Sequence, residues 1–156
     1  MGSRSDRART FYENADSWNY EISGDYQFRA GPGKLKLIGL RRFSHEPYKQ
    51  ETVTTPVGGI ATGDRFAQTG DLGETIGRGE YQWKMLGGDW QLSGEAAFNT
   101  LDNVASIAVL DPSGVFVDQP FAGGTGGVSE DRYEGLLSFG RKLTDKLNFQ
   151  IIAGAE

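Results

Sequence analysis

Residues 17–28, SWNYEISGDYQF, alternate without a break: Trp18, Tyr20, Ile22, Gly24, Tyr26 and Phe28 are apolar, aromatic or small, and every odd position from Ser17 to Gln27 is polar. Successive side chains of a β-strand point to opposite faces, so a period of two over twelve residues describes a strand with one apolar and one polar face. That pattern leaves two architectures. A soluble cup of the lipocalin kind turns the apolar face inward around a small ligand, whereas an outer-membrane barrel turns it outward to lipid and keeps the polar face in the lumen.

Five more runs continue the pattern. Residues 35–45 give a strand with blurred alternation, after the turn RAGPGK. Residues 75–86 set Gly77, Gly79, Tyr81, Trp83 and Met85 against Arg78, Glu80, Gln82 and Lys84. Residues 89–101 set Trp90, Leu92, Gly94, Ala96 and Phe98 against Gln91, Ser93, Glu95 and Asn99. Residues 130–141 and 147–156 follow, with Tyr133, Gly135, Leu137, Phe139, Leu147, Phe149 and Ile151 on the apolar face. The expected fold is all-β: an antiparallel up-and-down meander of about six strands, open and curved in isolation because six strands are fewer than the eight of the smallest usual membrane barrels. Residues 1–16 read as a loop remnant and 17–156 as a partial outer-membrane barrel, with long loops at 46–74 and 101–130. Within the second loop, Asp111-Pro112-Ser113-Gly114 has the composition of a turn in a small hairpin.

Composition removes other classes. The 156 residues include 23 glycines, which suits turn-rich β structure and disfavours a helical bundle. No run approaches the ~18 apolar residues of a membrane helix. A net charge of -5, with its basic residues dispersed among acids, argues against a nucleic-acid partner. The absence of cysteine removes disulfides and thiolate metal sites. MGSRSDRART has no apolar signal core, which fits either a protein kept inside the cell or a piece of a longer precursor.

Three features choose the membrane alternative. Short turns and long loops alternate, as periplasmic turns and extracellular loops do in outer-membrane barrels. Tyr26, Phe28, Trp83, Trp90, Phe139 and Phe149 fall near the short turns and Trp18, Tyr20, Phe98 and Tyr133 near the long loops, with small residues between, as expected of two aromatic girdles at headgroup level. Asp25, Arg78, Glu80, Glu95, Arg132 and Glu134 occupy the opposite face within the strands and form the candidate lumen wall. Glu80, Glu95 and Glu134 are expected to pair with Arg78, Lys84 and Arg132 across strands rather than to act as catalytic acids. Trp18, Tyr20, Tyr26, Phe28, Trp83, Trp90, Phe139 and Phe149 form the candidate lipid-facing girdle.

The stretches YEISGDYQF, GPGKLKLIGL, GRGEYQW, GGDWQLSGEAAFN and YEGLLSFGRKLTDKLNFQIIAGAE resemble the middle barrel strands of TonB-dependent outer-membrane receptors of proteobacteria. The resemblance covers most of the chain but not a TonB box, a plug domain or an aromatic C-terminal strand. It implies a barrel of about 22 strands with a plugged lumen, in the outer membrane of a Gram-negative bacterium. Such a barrel imports a scarce nutrient of the siderophore, vitamin or saccharide class, with energy relayed from the inner membrane. The implied partners are outer-membrane lipid, the plug, the remaining strands and the TonB complex. No catalytic, metal or cofactor residue is called for.

Other signals have plainer readings. GGTGGVSED at 123–131 has the glycines of a phosphate loop but precedes a strand rather than a helix, so it reads as a flexible loop. His45 beside Ser44 lacks the third group of a catalytic triad and reads as a rim residue. Arg4, Arg7 and Arg9 read as an extracellular loop that could meet lipopolysaccharide phosphates.

Overall fold

The computed structural model describes residues 6–144 and 147–156. Its elements are all strands: β1 (Arg7–Asn14), β2 (Trp18–Ala30), β3 (Gly33–Pro56), β4 (Thr62–Met85), β5 (Gly88–Leu110), β6 (Phe116–Gln119), β7 (Thr125–Thr144) and β8 (Leu147–Ala155). They form one antiparallel meander in the order β1-β3-β4-β5-β7-β8, with β2 also beside β3 and β6 also beside β5. The sheet does not close: β8 pairs with β7 and is not joined to β1 or β2. All six expected strands are present, in the expected order and with free edges.

The two additional strands correct the reading of the termini and loops. Residues 7–14, expected to be loop, form β1, which pairs from Arg7↔Pro56 to Asn14↔Lys49. β1 and β2 flank the same strand, separated at residues 15–17. Continuing the register from Asn14↔Lys49 brings the gap opposite Pro47, which has no N–H to give to a ladder. The supposed loops 46–74 and 101–130 are largely strand, since β3 runs to Pro56, β4 begins at Thr62, β5 runs to Leu110 and β7 begins at Thr125. These stretches carry polar groups on both faces, so the one-sided alternation that advertises a half-buried strand is missing, while Thr- and Val-rich segments such as 52–55 still favour extended backbone.

Turn chemistry sets the hairpin ends. At the β5–β6 tip the Asp111 carboxylate accepts from Ser113 Oγ at 2.6 Å, Ser113 N at 2.9 Å and Val115 N at 2.9 Å, and Gly114 adopts φ +86°. The expected turn at 111–114 is therefore present. The Ser113 hydroxyl and then the Val115 amide hold the Asp111 carboxyl below its ordinary range. Between β4 and β5, Leu86 has φ +55° and Gly87 φ +69°, the two left-handed positions of a type I′ hairpin turn. Leu86 is the only non-glycine residue with positive φ among the described residues, and its side chain is exposed. Leu86→Asn is expected to stabilise the hairpin by about 0.5–1 kcal/mol, because Asn tolerates this backbone and Leu does not. Urea unfolding in detergent checks it; an unchanged or lower midpoint would refute the turn assignment. The expected turn RKLTDK includes residues 145 and 146, which lie outside the described residues.

The residues group into two compact units. One contains Met1–Asn19, Ser44–Leu72 and Leu101–Val128, the other Tyr20–Phe43, Gly73–Thr100 and Ser129–Glu156. Neither has an ordinary core. Among the described residues no large side chain is fully buried, and the buried hydrophobic residues are the small Ala97 and Ala108. Ile22 and Tyr26 are each 68% exposed and Ile152 61%. A single sheet that leaves such groups open needs another layer or a lipid phase against it.

Candidate functional site

The unit built from Tyr20–Phe43, Gly73–Thr100 and Ser129–Glu156 separates its two faces chemically. Along β4, Tyr81 and Trp83 lie on one face and Arg78, Glu80 and Gln82 on the other; along β5, Trp90 and Phe98 oppose Gln91 and Glu95. The rings meet both along and across strands. Tyr81 stacks on Trp83 at 5.2 Å, Trp83 on Trp90 at 5.9 Å and 15°, Trp90 meets Phe139 at 4.6 Å, and Phe139 meets Phe149 edge-on at 6.4 Å. On β2, Tyr26 and Phe28 are 5.6 Å apart. Near the turns the polar tips of the rings find backbone carbonyls: Tyr81 donates to Ala30 O at 2.8 Å, and Trp90 Nε1 to Met85 O at 3.2 Å.

Two glycines make room for this row. A Cβ at Gly33 would enter the Tyr81 ring and Gln82 O, and one at Gly88 would enter the Phe139 ring. A second set of ring contacts lies further along the strands, with Tyr20 on Phe43 at 5.9 Å and Phe98 edge-on to Tyr133 at 5.9 Å. Trp90 and Phe98 are eight residues apart, ~26 Å along the strand, which the ~35–45° strand tilt of a membrane barrel would reduce to ~20 Å of height, against an apolar band ~25 Å tall. Between them the surface is smooth. A Cβ at Gly24, Gly77 or Gly135 would meet nothing within 4 Å, and one at Gly94 only Glu134 O at 3.9 Å.

The opposite face is an ion ladder. Asp25 lies 3.5 Å from Lys36, Arg42 lies 2.7 Å from Glu21 and 3.6 Å from Glu74, Arg78 lies 3.7 Å from Glu95, and Arg132 lies 3.3 Å from Glu95. Arg78 Nε is 2.8 Å from Glu80 Oε1 but out of line for a hydrogen bond, so that contact is ionic. Half-exposed pairs of this kind contribute little to stability; their effect is a hydrated wall of nearly balanced charge. Five of the six expected wall residues, Asp25, Arg78, Glu80, Glu95 and Arg132, join the ladder. Glu134 lines a small crevice with Arg78, Ser93 and Glu95. Lys84 departs from expectation: it faces Asp89 at 3.7 Å, beside the turn.

The blurred alternation of β3 has a cause. Arg42 joins the ion ladder, whereas Arg41 lies on the aromatic face and donates to Thr75 Oγ1 at 2.5 Å. Phe43, partner of Tyr20, escapes the sequence pattern because the adjacent arginines, with Ile38 and Leu40 on the face of Lys36 and Arg42, hide the period.

The other unit contains the remaining candidates. Trp18 packs on the His45 ring at 5.7 Å, and His45 Nδ1 lies 2.6 Å from Asp71 Oδ1. Ser44 projects to the opposite face and donates to Glu46 Oε1 at 2.7 Å, so no nucleophile–base pair forms. Glu51 joins Lys49 at 2.7 Å and Arg65 at 2.8 Å, and Arg65 covers the Phe116 ring at 4.2 Å. Lys49 first, with help from Arg65, keeps the Glu51 carboxyl below its usual range against the opposing effect of burial. On the face opposite Glu51, Tyr48 packs on Phe66 at 6.4 Å and donates to Gln50 Oε1 at 3.0 Å, while Gln68 Nε2 donates to Asn103 Oδ1 at 3.0 Å. A hollow of about 340 Å³ is lined by Ala15, Ser17, Glu46, Pro47, Tyr48, Gln68 and Gly70.

Sequence reasoning missed this cluster, because the residues fell in supposed loops. Arg7 and Arg9 belong to β1, while Arg4 lies outside the described residues. In 123–131, Gly123 takes φ +84° and β7 starts at Thr125. No group of acids and histidines among the described residues is arranged to hold a metal. No protein-family model matches the chain, and no curated protein matches it.

Proposed function

We propose that this chain is a wall segment of an outer-membrane transport barrel of the TonB-dependent receptor type, taking up a scarce nutrient in a Gram-negative bacterium. The observation that carries the reading is the two-sided unit: ring contacts at two levels flanking a smooth glycine belt on one face, and a cross-strand ion ladder on the other. Lipid accepts the first and water the second. The open edges at β1–β2 and β8 suit pairing with the remaining strands of a larger barrel, and the charged wall suits contact with a plug. In that setting β3, β4 and β5, with 24, 24 and 23 residues, are far longer than the ~9–11 residues a membrane strand requires. Capture then falls to strand extensions rather than to flexible loops. The role is transport without catalysis, and the energy source is the TonB complex of the inner membrane.

Quenching of tryptophan by brominated lipid tests the reading. In the full chain reconstituted into phosphatidylcholine vesicles with Trp18 replaced by Phe, Trp83 and Trp90 are expected to lose at least about half their emission on bromination near the headgroup end of the acyl chains, where aromatic girdles sit. A chain that stays monodisperse without detergent and shows no quenching would instead be a soluble cup, its apolar face turned to a small ligand.

A further inference from the structure

We infer that the face of the first unit bearing Tyr48 and Phe66 is a binding site for a neutral oligosaccharide. This names a substrate class for the proposed transporter and rests on that reading for its use in uptake, though not for binding itself.

Three features of the site specify the ligand. Tyr48 and Phe66 are half-buried and tilted at 55°, so each is held by its neighbour while keeping ring surface open. Such rings pack against the C–H-bearing faces of a pyranose, which are apolar although the rim of the sugar is polar. Around the rings lie amides rather than charges. In the Gln68–Asn103 pair one amide group donates to the other, which leaves one carbonyl and one NH₂ without partners among the described residues, whichever way the two amides are turned. Gln50, which accepts from Tyr48, likewise keeps its NH₂ unpaired. A hydroxyl both donates and accepts, so vicinal hydroxyls match an amide pair that offers one of each.

Charge argues in the same direction. No Lys or Arg lines the 340 Å³ hollow, and its single acid, Glu46, already accepts from Ser44. Lys49 and Arg65 are drawn to the opposite face by Glu51. An anionic iron chelate or a phosphorylated ligand would find no cation lining the hollow, whereas an uncharged polyol needs none. The volume falls within the ~300–1,000 Å³ of small-ligand sites, and the open hollow lets a chain of sugars continue beyond it.

Titration calorimetry on the full chain in detergent tests this, using maltotriose, xylotriose and mannotriose as neutral probes and a ferric trihydroxamate and a trigalacturonate as charged ones. At least one neutral trisaccharide is expected to bind at millimolar concentration or better, and the charged probes not to bind. Tyr48→Ala and Phe66→Ala are expected to weaken binding about tenfold, the loss of one stacking contact. Tyr48→Phe, which keeps the ring and guards against misfolding, should cost less than about threefold, and Gln68→Leu about fivefold. Glu51→Gln, on the other face, should bind as the parent. No heat from any neutral sugar, preferential binding of a charged probe, or equal loss in Glu51→Gln and Tyr48→Ala would each overturn the assignment. Bromine quenching separates the two proposals: a chain that enters lipid but ignores sugars keeps the transport reading and loses this one, and a chain that binds sugar without entering lipid does the reverse.

Discussion

Arginine in place of Gly94 or Ala96 is expected to block assembly of the proposed outer-membrane barrel, while Glu95→Gln, between them in sequence, is expected to assemble normally. Sterics do not explain the difference. A side chain at Gly94 would leave the sheet with only Glu134 O nearby, at 3.9 Å, so the backbone can carry one. What changes is the medium. Lys or Arg at mid-depth on the lipid face of a barrel costs about 2–4 kcal/mol, a large part of the ~5–15 kcal/mol by which a folded domain is stable. Glu95 points the other way, between Arg78 and Arg132, and its amide keeps one hydrogen-bonding oxygen toward them. Gly94→Leu separates charge from bulk and should assemble. Heat-modifiable migration in outer-membrane fractions reads all four variants, and equal assembly of G94R, A96R and E95Q would refute the lipid-facing assignment. In the proposed barrel the native Arg41 fits the same rule, because it lies two residues from Phe43, at the level of the second set of rings, and its long stem would carry the guanidinium toward the headgroups.

The second large effect belongs to the pair Gly88 and Phe139. Gly88→Ala would drive a methyl group into the Phe139 ring and to 2.8 Å from Gly140 O, displacing the ring from its 4.6 Å contact with Trp90. Overpacking of this kind costs about 1–3 kcal/mol. Phe139→Ala alone loses the contacts with Trp90 and Phe149. Together the two are expected to cost about 1 kcal/mol less than their sum, since the truncated ring leaves room for the methyl group. Urea titration followed by tryptophan emission measures the cycle, and strict additivity would show that the two side chains do not share space.

The parts of the fold legible in the sequence were those where one face meets water and the other does not. Alternation located β2, the turn-proximal parts of β4 and β5, β7 and β8, and it put Trp83, Trp90, Phe139 and Phe149 on one face. It could not locate the 46–56 and 62–74 stretches, because Tyr48 and Phe66 share their face with Gln50 and Gln68, and a strand wetted on both sides has no apolar period to show. β3 was blurred because Ile38 and Leu40 share a face with Lys36 and Arg42, while Arg41 lies on the aromatic face, where Thr75, 34 positions away, accepts from it. The gap between β1 and β2 depends on pairing with Pro47, a partner that local patterning does not reveal. The proposed sugar site was hidden for the same reason as the strands that bear it.

The meander also determines how the chain reaches this structure. Each of the long strands pairs with one that follows closely in the chain, so assembly never has to close a large loop, and the entropy of closure is met in small steps. The Leu86–Gly87 turn brings β4 and β5 together with only two residues between the strands, and the Asp111 turn joins β5 to β6 through residues 111–115. Contacts this local correspond to a low contact order, for which folding is fast among β proteins. The sheet can grow by zipping one hairpin onto the next, so an unfinished intermediate always presents a single advancing edge, the place at which a further strand or an assembly factor would join.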